Sequence, residues 1–225
     1  MRIVVTGTDT RVGKTWVTSA LALALASGGK RVIAMKPIET GCAGPPGERE
    51  DGVLLAGATG QSQPSHAIFR LTDQVPPALA SDRSGITIDF DALISKIERY
   101  GENAEYLLIE GAGGLLAPLT WEWNMVDVAR ALGACALVVA VDRLGTINHT
   151  LLTLSALELA GVPCVGVVLT TPDMPDGTTG SNAAAIARLS GVDRVVAAPK
   201  SAYPDRSEAM KTVMGWLGRV AAPAV

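Results

Sequence analysis

Lys14 and Thr15 close the segment GTDTRVGKT at residues 7–15, which stands between an apolar β-branched run and an apolar helix-forming stretch. Gly-Lys-Thr in that context is chemistry for holding phosphate: backbone N–H groups of the loop turn inward at an anion, and the following helix N-terminus adds partial positive charge. Lys14 then reaches the β- and γ-phosphates, the Thr15 hydroxyl serves a Mg²⁺ ion, and Gly13 lets the backbone approach without a Cβ in the way. Gly7 and Gly13 enclose five residues, one more than the usual spacing. The competing reading is a generic glycine-containing turn before a helix.

Further charged groups stand where apolar runs end. Lys36 follows the run at 31–35, and a fixed ammonium there could neutralise a transferring phosphoryl group; the alternative is a surface lysine. Glu110 follows the run at 106–109 and precedes three small residues. A carboxylate so placed orients Mg²⁺ or its water shell in phosphoryl-transfer sites, unless it is simply a solvated strand end. Asp51 opens a short helical stretch and could add a third oxygen near the metal, or could only start its helix.

The elements that must position these groups alternate. Strands are predicted over 2–6, 31–35, 106–109, 135–141, 165–169 and 195–198, and helices over 16–26, from 51, over 89–100, 125–132, 148–160, 181–190 and 207–220. Pro37 closes the second strand, since it cannot donate to a ladder. Residues 38–50 are Gly- and Pro-rich and predict a mobile loop. Residues 60–85 predict loop with a short helix near 77–81, and 111–114 a Gly-rich loop. Alternating strands and helices mean a parallel sheet with right-handed crossovers, and the run at 135–141 is apolar enough to be central. In such sheets ligands bind at the carboxyl ends of the strands. The polar segments at 6–15, 36–40, 110–114 and 142–148 all fall there, which predicts one cleft.

Composition bounds the rest. The chain has 225 residues, 48% hydrophobic and 18% charged, enough for one α/β domain over 1–225. A net charge of −3 offers no basic footprint for nucleic acid. No apolar run reaches the ~18 residues of a membrane span. Met1 runs straight into the first strand, so no signal peptide is expected. Cys42, Cys135 and Cys164 are widely spaced and read as free thiols in a reducing cytoplasm.

The segments VTGTDTRVGKT (5–15), KPIETG (36–41), EGAGGLLAPL (110–119) and LGTINHTLLT (144–153) together resemble the dethiobiotin synthetase family, over residues 1 to about 200. The resemblance implies an α/β P-loop NTPase-type three-layer fold: a mostly parallel central sheet with helices on both faces. It implies ATP-dependent ring closure of 7,8-diaminopelargonate with CO₂ or bicarbonate, through a carbamate and a carbamic-phosphoric anhydride, with Mg²⁺ as cofactor. Phosphoryl transfer of that kind needs positioning and charge stabilisation, not a protein nucleophile.

By the same resemblance Thr10, Lys14 and Lys36 are the catalytic cations and hydrogen-bonders, and Thr15, Asp51 and Glu110 the metal shell. Arg11, Val12, Gly13, Trp16, Gly111, Ala112 and Gly113 join the nucleotide site, with Thr170, Thr171, Pro199, Lys200 and Ser201 around the base. Thr40 binds substrate. The family's members are homodimers with the active site at the interface, so Gly145, Ile147 and Asn148 would hold the substrate's tail carboxylate from the partner subunit. Asn148 is expected to begin its helix, a natural carboxylate site; the alternative is a fully buried core helix. Two positions depart from the family pattern. Arg11 stands where relatives often carry an acidic residue. Thr170-Thr171-Pro172 stands where an adenine-reading Asn is expected, which predicts weak base selectivity, because a hydroxyl lacks the bidentate amide pattern.

Other functions share the fold. A partitioning-type switch ATPase uses a second lysine early in its loop, and residues 8–12 contain none. An amidotransferase-linked synthetase of cobalamin biosynthesis needs a glutaminase domain for which 225 residues leave no room.

Overall fold

The computed structural model describes residues 1–199 and 208–219. The chain runs β1 (Arg2–Gly7), α1 (Lys14–Ser27), β2 (Val32–Met35), β3 (Ile38–Thr40), α2 (Asp51–Thr59), β4 (Phe69–Leu71), α3 (Pro77–Ser84) and α4 (Phe90–Gly101). It continues through β5 (Tyr106–Gly114), α5 (Met125–Ala131), β6 (Cys135–Val141), α6 (Thr146–Leu159), β7 (Cys164–Thr170), α7 (Asn182–Ser190), β8 (Val195–Ala198) and α8 (Glu208–Leu217).

Six strands form one parallel sheet in the order β2-β5-β1-β6-β7-β8. Its inner strands alternate between two cores. Ile3 and Val5 of β1 pack with α1, α2 and α8, through Leu21, Leu55 and Met210. Val4 faces the other way, into a core that holds Ile97 of α4, Val128 of α5, Leu157 of α6 and Ile186 of α7. A period-two strand buried on both faces reads as one continuous apolar run, as 135–141 does. The result is the three-layer arrangement, with its polar strand ends gathered at one edge. Among the described residues no helix is long and apolar enough to cross a membrane.

Several elements differ from the sequence expectation. The Gly- and Pro-rich stretch after Pro37 begins with β3, which pairs in parallel with β4 in a separate small sheet. Each strand has three residues, too short to show a period among flanking glycines and prolines. The loop that follows is tied down: Arg70, opposite Glu39 in the register, donates to both carboxylate oxygens of Glu50, at 2.7 and 2.6 Å, and to the Gly44 carbonyl at 2.9 Å. Strand β5 runs on through 111–114, where a loop was expected, because Gly114 still pairs with Gly7 across a bulge. Helix α6 starts at Thr146, two residues before Asn148, with Gly145 as its N-cap in a left-handed conformation.

Candidate functional site

The loop between β1 and α1 is built from its own backbone. Gly13 caps α1 at φ 91°, and Arg11, the only non-glycine with positive φ among the described residues, sits at 56°. A non-glycine in the left-handed region is a strained position of the kind found at binding sites. Arg11 is exposed at the cleft mouth. Helix α1 has no side-chain cap among the described residues and no acidic residue in its first turn, and Gly13, Lys14 and Thr15 at its N-terminus line the cleft, an arrangement suited to an anion.

Lys14 is not solvent-facing. It is 6% exposed, and its Nζ donates to the Asp9 carbonyl at 3.0 Å. Burial, followed by the ammonium of Lys36, pushes its pKa down to about 8.

Lys36 follows β2 and is buried between two carboxylates. Its Nζ donates to Glu110 Oε1 at 2.8 Å and to Asp51 Oδ2. Burial alone would lower its pKa, but Glu110 and Asp51 together hold it above the ordinary lysine value. The Thr15 hydroxyl donates to the same Glu110 Oε1 at 2.9 Å. Glu110 itself is 0% exposed, and its other oxygen, Oε2, has no hydrogen-bond partner among the described residues. A buried carboxylate oxygen with spare lone pairs, beside a hydroxyl and a second carboxylate, fits a hard divalent cation such as Mg²⁺.

Glu39 completes the corner. One of its oxygens accepts from the Asp51 N–H at 2.6 Å and the other from the Gly52 N–H at 2.9 Å, so a β3 carboxylate caps α2 and sets where Asp51 points. Burial raises the Glu39 pKa, and the two backbone N–H groups pull against that rise.

One cleft of about 890 Å³ joins these groups. Of the residues singled out in the sequence, Thr10, Arg11, Gly13, Lys14, Thr15, Lys36, Thr40, Asp51, Glu110, Ala112 and Gly113 line it. Val12 and Gly111 are buried behind it, and Trp16 packs with the α1 core. Thr170 is buried, its hydroxyl donating to the Val12 carbonyl at 2.8 Å, while Thr171 and Pro199 are exposed beyond the cleft wall. Gly145, Ile147 and Asn148 line no part of this cleft. Lys200 and Ser201 lie outside the described residues.

Sequence reasoning missed Glu39 and the wall formed by Gln74 to Pro77. Glu39 stood inside KPIETG, between two selected residues, and strand alternation could have marked it. The Pro76-Pro77 pair at the start of α3 was the signal for the wall.

Comparison with known proteins bears on the family and the fold. A family model described as an AAA domain matches residues 1–204. The ATP-dependent dethiobiotin synthetase BioD of Anaeromyxobacter sp. (strain Fw109-5) is 40% identical over 190 residues, covering 83% of this chain and 84% of that protein. That of Rhodococcus jostii (strain RHA1) is 40% identical over 201 residues, covering 88% and 85%. Among solved structures, the MinC:MinD cell division protein complex of Aquifex aeolicus superposes with a TM-score of 0.60 at 16% identity, covering 100% of this chain and 98% of that one. The cell division ATPase MinD of Pyrococcus furiosus gives 0.59 at 16% identity, covering 98% and 99%. At that identity the likeness is one of fold.

Proposed function

The chain belongs to the ATP-dependent dethiobiotin synthetase family, and from that premise we propose how its cleft runs the reaction. The protein is a C–N-forming ligase that uses ATP to make dethiobiotin. One amine of 7,8-diaminopelargonate takes up CO₂ as a carbamate, losing a proton. A carbamate oxygen attacks the γ-phosphorus of ATP and ADP leaves, giving the carbamic-phosphoric anhydride. The second amine attacks the carbonyl carbon and gives up a proton, phosphate leaves as the C–O bond breaks, and the ureido ring closes.

The observation that carries the residue assignment is the buried Lys36 ammonium on Glu110, in one cleft with Lys14 and the open N-terminus of α1. The loop N–H groups and Lys14 hold the β- and γ-phosphates. Lys36, with Thr10 at the cleft mouth, neutralises the carbamate and the phosphoryl group as charge moves between them. Thr40 hydrogen-bonds the diamine. Thr15, Asp51 and Glu110 would hold Mg²⁺, which when bound would supply charge neutralisation at the phosphates. A nucleophilic side chain is not needed, because the substrate's own amines are the nucleophiles.

The partner subunit completes the site in this reading. Leu144, Asn148, Leu152, Ser155 and Leu159 recur along one exposed face of the α6 segment, with Leu144, Leu152 and Leu159 at 76%, 63% and 90% exposure. A second copy covering that stripe would bring Gly145, Ile147 and Asn148 to the other protomer's cleft. The uncapped N-terminus of α6, free of acidic residues in its first turn, suits a carboxylate there. A cytoplasmic setting fits three free cysteines.

The test is ADP release measured with each substrate omitted in turn. Strict dependence on both diaminopelargonate and bicarbonate, with dethiobiotin formed in step with ADP, is expected. Turnover that ignores both and rises with DNA or lipid would instead make the protein a switch ATPase. For the dimer, Leu152→Glu should give monomers by sedimentation and lose ring closure.

A further inference from the structure

We propose that Thr170 works as a latch that aims the phosphate-binding loop, and that it does not read the nucleobase. The proposal rests on the nucleotide-site reading above. Thr170 ends β7 at 1% exposure, and it is absent from the cleft wall. Its Oγ1 has one proton to give. The Val12 carbonyl takes it at 2.8 Å, with the Ala140 carbonyl further off at 3.3 Å. Its methyl meets the same stretch of loop: a Cβ on Gly13 would stand 3.0 Å from Thr170 Cγ2.

Both contacts fall on one peptide unit. The Val12–Gly13 peptide is planar and trans, so the Val12 C=O and the Gly13 N–H point in opposite directions. Holding the carbonyl toward β7 therefore turns the Gly13 N–H away from β7, toward the cleft that Gly13 lines. Gly13 sits at φ 91°, a conformation glycine leaves at little cost, so the unit needs an external tether to stay in one orientation. A threonine supplies it, with a hydroxyl for the carbonyl and a methyl for the glycine. Thr170 is thus a positioning residue: it acts on phosphate through the Val12–Gly13 peptide, and it treats every nucleoside triphosphate alike.

The experiment is calorimetric titration of the full chain, at fixed magnesium, with ATP, CTP and inorganic tripolyphosphate. Thr170→Val keeps the shape and removes the donor, leaving the buried carbonyl unpaired. All three ligands should weaken by a common factor of about ten, with the ATP:CTP ratio unchanged. Thr170→Ser, which keeps the hydroxyl, should recover most of the loss. If the valine variant does not fold, Thr170→Ala carries the same comparison. Unchanged affinities would overturn the latch, and so would a loss confined to ATP with tripolyphosphate unaffected, which would return Thr170 to the base. Failure of the parent chain to bind any of the three would sink the nucleotide reading and the latch with it.

Discussion

Replacing Lys36 by Met keeps most of the aliphatic stem and removes the ammonium, and the structure sets the size of the effect. Glu110 is 0% exposed and would be left with the Thr15 hydroxyl at 2.9 Å as its one described donor, its Oε2 already lacking a partner. Removing one partner of a buried ion pair costs about 3–5 kcal/mol, because a charge stays buried without compensation. The Asp51 half adds little: its side chain is 32% exposed, and water replaces the lost cation at a cost of about 0–1 kcal/mol. The cleft opens to solvent beside Lys36, so the low end applies, and we expect a loss of about 3 kcal/mol. For a chain of this size that lowers Tm by about 6–12 °C. The assay is a thermal melt with metal chelated by EDTA. Adding Mg²⁺ should return a cation to Glu110 and stabilise the variant more than the parent. A melting temperature within about 2 °C of the parent in EDTA would refute the idea that Lys36 compensates Glu110. Turnover should fall more than ATP affinity does, since the lost cation serves the transferred group.

Lys14 carries a pH signature. Its pKa of about 8 in the folded chain lies below the ordinary 10.5, so its burial penalty is present below pH 8 and is relieved as pH rises from 8 to 10.5, where its contribution to stability increases. Phosphate draws that proton back, so nucleotide binding near pH 8 should take up a proton, seen by calorimetry in buffers of different ionisation enthalpy; zero uptake would contradict the burial. Lys14→Ala should abolish the uptake and lower kcat by about 10²–10³. Glu39→Gln offers one acceptor where two backbone donors stand, and should cost about 1 kcal/mol of stability while raising the Mg²⁺ concentration for half-maximal rate, through a misplaced Asp51; a normal Mg²⁺ titration would count against it. CTP and GTP should support ring closure within about two orders of magnitude of ATP, and a preference beyond ~10³ would show that the pocket reads adenine without an Asn.

The long apolar strands and the loop at 7–15 were legible because their signals are local: β-branched runs, a Gly-Lys-Thr motif and a following helix all sit in consecutive residues. Strands β3 and β4 were not, since a three-residue strand is defined by a partner about thirty positions away and leaves no period of its own. Glu110 was legible as a carboxylate directly after an apolar run, although β5 continues past it, whereas its unpartnered oxygen is a property of the packing around it. The burial of Lys14 has no local signal, since it follows a polar Gly-bounded loop, and only the fold brings Lys36 and the β-strand ends close enough to enclose it. Thr170 was read through the residue expected in its place. Its actual partner, Val12, is 158 positions away, beyond the reach of any pattern in the chain.

That separation bears on how the protein comes to exist. Thr15 meets Glu110 across 95 positions, Lys36 meets Glu110 across 74, and Thr170 closes onto Val12 across 158. Each contact closes a long loop, and the entropy of that closure weighs against forming any one of them in isolation. A fragment ending before β7 would carry the whole Gly-Lys-Thr motif and still lack the hydroxyl that orders it. A ligand seated there engages only the fully folded chain, so saturating nucleotide at one edge of the sheet should slow the opening of strands at the other.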